Sequence, residues 1–288
     1  MDTIKRVVIT GANSGLGFET AKKVAKNKNY EVILACRNSE KVEKAKNEIK
    51  EETGNENIYT KILDTSSLKS VKAFVDDLVK DGKKIDILVN NAGVSSMGHT
   101  GLSEDGFEIV FATNYLGHFL LSNLLIPYIN DGGKIFNISS DMHNPPKGIK
   151  WKGTEELFHP QSDDRAKYSY SKLCMIYLTH SLYRKFKEEN RNILVNSFNP
   201  GYMSDTNFSA QGKVGEIFVK TIMPDRLGNL DTSSTALSEL ILDDSLNISN
   251  EYFDRSTKTI KSSDLSYDEN NEKELWDASI KYCKDYLK

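Results

Sequence analysis

The sequence predicts a doubly wound α/β fold of the Rossmann type: one parallel sheet with helices on both faces, a single domain over residues 1–288. Three observations carry this. Short apolar runs alternate with stretches of helical periodicity at regular intervals. A glycine-rich turn stands between the first run and the first helix. No internal repeat or linker-like segment breaks the alternation, and right-handed crossovers leave this winding as the leading topology.

Residues 6–10 form an apolar run that ends at glycine, as a strand buried on both faces does. Thr20, Ala21, Val24 and Ala25 then fall at helical spacing. Residues 31–36 read as the second strand and 39–53, rich in both charges, as the next helix. Residues 58–63 give strand three, and Val71, Phe74, Val75, Leu78 and Val79 mark one face of the helix behind it. Strand four covers 85–89, a long helix 107–129, and strand five 134–138. Strand six covers 193–198, after the helix that carries Tyr168. A short strand at 251–253 and a helix holding Leu275, Trp276, Ile280 and Tyr286 follow. The stretches 141–167 and 201–212 are irregular.

With 38 basic and 41 acidic residues the net charge is −3, which leaves no footprint for nucleic acid. Cys36, Cys174 and Cys283 are scattered and odd in number, without metal-ligand spacing. A disulfide framework is therefore not expected, no metal site is expected, and a reducing, cytoplasmic setting is. Cys174 reads as a buried, inert thiol, with a reactive one as the alternative. No secretory signal is apparent, and no apolar run approaches the roughly 20 residues that span a bilayer. The expectation is a protein with no stable membrane anchor.

Gly11, Gly15 and Gly17, with Asn13, Ser14 and Leu16 between them, form a turn whose backbone can approach a pyrophosphate at a helix amino terminus. An acid about 20 residues further on would hold the adenosine ribose of NAD. Strand two instead ends in Arg37-Asn38. A guanidinium there suits a 2′-phosphate, so NADP(H) is the expected cofactor. Tyr168 and Lys172 share a helix face one turn apart, and the ammonium is expected to lower the phenol pKa toward the range useful in acid–base catalysis. Ser139-Ser140 follow strand five at the edge where α/β folds place ligands, and a hydroxyl there can steady a developing oxyanion.

Thr10 through Gly17, Asn90-Asn91-Ala92-Gly93, Asn114, Ser139-Ser140, Tyr168 with Lys172, and Pro200-Gly201 occur in that order. Together they resemble the short-chain dehydrogenase/reductase family over nearly the whole length. The resemblance implies hydride transfer between a nicotinamide and a carbonyl or alcohol. It gives Tyr168 the proton transfer and Lys172 the nicotinamide ribose. Ser140 would be the oxyanion donor, with Ser139 as the alternative, and Asn114 would support a water chain. It places Asp64 beside the adenine, although Asp64 also reads as a helix-capping residue. Asn91, Ala92 and Gly93 would lie near the adenosine ribose, and Pro200 and Gly201 near the cofactor's far end. His118 reads as a helix-packing polar residue, and Tyr170 points off the Lys172 face.

The long gap from Ser140 to Tyr168 resembles the subgroup of retinol dehydrogenases and protochlorophyllide reductases, as do Leu34–Asn38, Leu116–Leu120 and Leu265–Asp268. Membrane-bound retinol enzymes often carry an apolar amino-terminal anchor, which this chain is expected to lack. Relatives carry a Thr beyond Pro200 where this chain has Asp205, then Thr206. The stretch 201–223, with Val214, Ile217, Phe218, Thr221 and Ile222 on one face, resembles a substrate lid, although a helix packed on the body explains the stripe as well. A homo-oligomer paired through the helices at 107–129 and 168–189 is common in the family. The expected function is an NADP(H)-dependent oxidoreductase for a moderately apolar carbonyl or alcohol. The alternatives are a catalytically silent NADPH-sensing protein and a light-driven protochlorophyllide reductase.

Overall fold

A computed structural model describes residues 4–161, 164–203, 220–221 and 223–288. Eight strands form one sheet in the order β3-β2-β1-β4-β5-β6-β7-β8. They are β1 (Lys5–Thr10), β2 (Tyr30–Cys36), β3 (Ile58–Ile62), β4 (Ile85–Asn90), β5 (Ile129–Ile138), β6 (Leu194–Asn199), β7 (Tyr252–Asp254) and β8 (Thr259–Ile260). All neighbours pair in parallel except β7 and β8. The chain starts in the middle, winds outward to β3, then returns to β4 on the other side of β1. That reversal opens a crevice at the carboxyl ends of β1 and β4.

The helices are α1 (Gly15–Ala25), α2 (Ser39–Thr53), α3 (Leu68–Leu78), α4 (Ile109–Phe111), α5 (Gly117–Leu125), α6 (Thr154–Phe158), α7 (Lys167–Glu188), α8 (Leu230–Leu242) and α9 (Glu269–Cys283). Strand β1 shows why the sheet reads as unbroken apolar runs. Val7 and Ile9 face the layer of α1, α2 and α8, while Val8 faces that of α3, α5, α7 and α9, and all three are fully buried. A strand covered on both faces has no polar side to alternate with.

The helix expected over 107–129 is broken in kind. Between α4 and α5 the residues Ala112–Leu116 form a π-helical turn, with Asn114 at its centre. The segment Ile109–Tyr128 is long and apolar enough to cross a membrane by length and composition, against the expectation of no such run, and most of it is buried inside the protein. Strand β5 begins at Ile129 rather than 134, through a register irregularity against Ile85 and Ile87. Of the stretch expected to be a lid or a packed helix, residues 204–219 and 222, with Asp205 and Thr206, lie outside the described residues.

Helix α9 packs on α7 and α5. Trp276 meets Phe119 edge-on at 5.0 Å, Tyr115 Oη lies 2.9 Å from Ser279 Oγ, and Arg184 pairs with Glu272. The irregular stretch before α7 joins the same helix: Trp151 Nε1 and the Thr154 N–H each donate to Glu274 at 2.8 Å. Both helices named for pairing of copies thus carry part of α9 of the same chain.

Candidate active site

The glycine turn after β1 and the loop after β4 touch. Gly11 adopts φ +67°, and a β-carbon there would stand 2.9 Å from Ala92 Cα. Glycine allows both the backbone and the contact. Thr10 Oγ1 accepts from the N–H groups of Asn91 and Ala92, each at 2.8 Å, and the Asn91 side chain donates to Thr10 O at 2.7 Å. Ser14 stands at the amino cap of α1, yet its hydroxyl caps none of the helix N–H groups. The first turn of α1 therefore keeps donors and a positive dipole end for an anion.

At the end of β2 the Arg37 side chain is exposed, 3.7 Å from the Asp64 carboxylate. Asn38 caps α2 by accepting from Lys41 N at 2.8 Å. Asp64 accepts from Ser66 N and Ser66 Oγ at 2.9 and 2.6 Å, in the turn before α3, whose amino cap is Ser67.

Asn114 is buried and its side chain is fully engaged. Oδ1 accepts from Val94 N at 2.7 Å, and Nδ2 donates to Val94 O and Ser171 Oγ at 3.0 Å each. The π turn brings His118 back over it. His118 Nδ1 lies 3.0 Å from Asn114 O, and Nε2 lies 3.0 Å from Thr10 Oγ1. A carbonyl only accepts, so Nδ1 carries the proton and Nε2 takes one from Thr10. Burial pushes the His118 pKa down to about 4, which keeps the ring neutral. His118 does more than pack. It links the Asn114 backbone to the hydroxyl that holds the Asn91 loop.

Lys172 is buried and donates to Ile138 O at 2.9 Å. Its nitrogen lies 5.7 Å from the Tyr168 ring centroid, and burial pushes its pKa down to about 8. Burial also pushes the Tyr168 phenol up to about 12, with Ser140 hydrogen-bonded to it pulling the other way and the Asp141 charge adding to the rise. The expected lowering by Lys172 is not among these influences; the cost of burying a phenolate dominates, and the resting phenol is a protonated donor. Ser139 is buried and donates to Lys172 O at 2.8 Å, which takes it out of the crevice and leaves Ser140 facing Tyr168. Tyr170 donates to Lys150 O at 2.8 Å, away from Lys172. Cys174 is buried and its pKa is raised by burial, as an inert thiol's would be.

Asn199, at the end of β6, escaped the sequence reading. Its side chain accepts from Asp141 N and Gly201 N at 3.1 and 2.9 Å and donates to Asp141 and Asp254 at 2.6 and 2.7 Å. It fastens the loop after Ser140 to that of Pro200-Gly201. Pro200 O accepts from Ser233 Oγ at 2.8 Å. Only the Asn before Pro200, a residue that favours turns, could have signalled it.

These residues fit a nicotinamide dinucleotide. The close-packed glycine cradle and the open first turn of α1 suit a pyrophosphate. The model of the short chain dehydrogenase family matches residues 5–149. The chain belongs to this family of oxidoreductases. Within it, the chain falls in the retinol dehydrogenase-like branch. It is 33% identical to human (Homo sapiens) retinol dehydrogenase 13 over 266 residues, 87% of this chain and 76% of that protein. To the mouse (Mus musculus) retinol dehydrogenase 13 it is 38% identical over 203 residues, 68% of this chain and 58% of that protein. A solved structure from Mycobacterium Paratuberculosis, 27% identical, superposes with a TM-score of 0.75 over 98% of this chain and 94% of that one.

Proposed function

We propose that the chain uses NADP(H) to interconvert the carbonyl and alcohol forms of a small, moderately apolar molecule. The observation that carries this is the Ser140–Tyr168 hydroxyl contact beside the Lys172 ammonium, at the carboxyl edge of the sheet. When bound, the nicotinamide supplies the hydride. Ser140 orients the substrate oxygen by hydrogen bonding. Tyr168, neutral at rest, gives that oxygen its proton, or receives one in the reverse direction. Lys172 holds ribose hydroxyls and stabilises the phenolate left behind. Asn114 fixes the Val94 backbone that borders the site.

Arg37 supports NADP(H) over NAD(H), since its exposed guanidinium, held among the described residues only by a 3.7 Å pairing with Asp64, can turn toward a phosphate. The relatives' names make retinoid aldehydes a first choice to assay. The silent, sensing alternative draws no support from the site, in which all four residues converge. Three buried free thiols support a reducing, cytoplasmic setting. The test is NADPH oxidation against a panel of aldehydes and ketones, run beside Tyr168→Phe. No turnover by the unaltered chain would end this reading.

A further inference from the structure

The Ser140 carbonyl receives two hydrogen bonds from one residue. His143 N donates at 2.9 Å, and its ring Nδ1 lies 2.7 Å away. On the other side of the ring, Nε2 lies 3.0 Å from the backbone N–H of Ser263, which can only donate. The two contacts set one tautomer: Nδ1 carries the hydrogen, and Nε2 accepts. The ring is buried, packs on Tyr252 at 5.1 Å, and burial lowers its pKa, which keeps it neutral.

We infer that His143 is a positioning residue. It clamps the backbone of Ser140 so that the serine hydroxyl meets Tyr168, and it anchors that clamp in the segment leading to α9. The inference rests on the proposed reaction. Ser140 Oγ already accepts from Met142 N at 3.1 Å, so the serine is held at both its hydroxyl and its carbonyl. A serine so fixed loses little freedom when the substrate arrives, and displacement by about 1 Å can cost about a hundredfold in rate.

The two ends of the ring can be cut separately. Asn at 143 places an amide N–H where Nδ1 stands and keeps the grip on Ser140 while losing Ser263. Gln or Ala loses the ring's hold and keeps only the backbone N–H bond to Ser140 O. Ser263→Pro removes the N–H without a change of φ, since Ser263 already has φ −63°, which proline adopts, and the hydroxyl lost with it makes no hydrogen bond among the described residues. His143→Ala and His143→Gln are expected to lower kcat by about ten- to a hundredfold with the NADPH Kd unchanged. His143→Asn restores most of the rate. Ser263→Pro lowers kcat by about tenfold, as loss of one hydrogen bond would, and has no added effect in the His143→Ala chain. Nitrogen-15 NMR of the imidazole is expected to show the neutral Nδ1–H tautomer at pH 7.

Wild-type kcat in His143→Ala, an Asn variant no better than Ala, or an Nε2–H or cationic ring at pH 7 would each overturn the inference. Should the Ala variant fail to fold, His143→Asn, Ser263→Pro and the NMR signal still decide it. A wild-type chain without turnover takes down the proposed reaction and the serine's role together. That outcome is distinct from an active chain indifferent to residue 143.

Discussion

Gly17 and Asn91 approach so closely that a β-carbon on the glycine would stand 2.5 Å from the Asn91 amide nitrogen and 2.8 Å from Gly11 O. The amide cannot swing aside without giving up Thr10 O. Gly17→Ala is therefore expected to push the two loops apart at a cost of about 1–3 kcal/mol, typical of an overpacked site. Fluorescence titration should show NADPH affinity falling at least tenfold, since the same backbone forms the cradle.

Tyr168→Phe removes the proton and leaves the ring. The expected result is a loss of about 10²–10⁴ in kcat, the range for general acid–base catalysis, with NADPH binding unchanged. Single-turnover absorbance at the NADPH band separates the two.

Arg37→Ala is expected to weaken NADPH by about 1.5–3 kcal/mol, as hydrogen bonds to a charged group do, and to leave NADH untouched. Equal losses for both cofactors would refute the assignment of the 2′-phosphate to Arg37.

Lys172 loses its charge as pH rises through about 8. NADPH affinity is expected to weaken across that point and to stay flat in Lys172→Met. The unfolded chain holds this proton up to its ordinary pKa of 10.5. The charged form therefore costs folding stability below about 8, and that cost fades as pH rises toward 10.5. Denaturant midpoints of the two chains at pH 7 and 9.5 read this difference.

Leu275, buried in α9 against the core, tests the seal that this helix makes over α5 and α7. Leu275→Ala is expected to cost about 2–5 kcal/mol of stability, seen in urea unfolding.

Much of this was legible because the strands are apolar runs and because Tyr168, Lys172 and the glycines act through fixed spacings. Helix α8 was not. Its inner face begins with Ser233, Ser234 and Ala236, and the apolar stripe of Leu237, Leu240 and Ile241 covers only its second half. Asn199, His118 and His143 were illegible as site residues for another reason. Each acts on backbone groups brought near only by folding, so no sequence interval points to its partner. The charge logic of Tyr168 and Lys172 was legible in kind but not in magnitude, because desolvation depends on the packing around them.

The π turn at Ala112–Leu116 holds one residue more than an ordinary helical turn would. Deleting a single residue there would restore regular winding and rotate everything upstream by about 100°. Asn114 would swing off the Val94 backbone and His118 away from Thr10. The length of this segment is therefore locked along with its side chains.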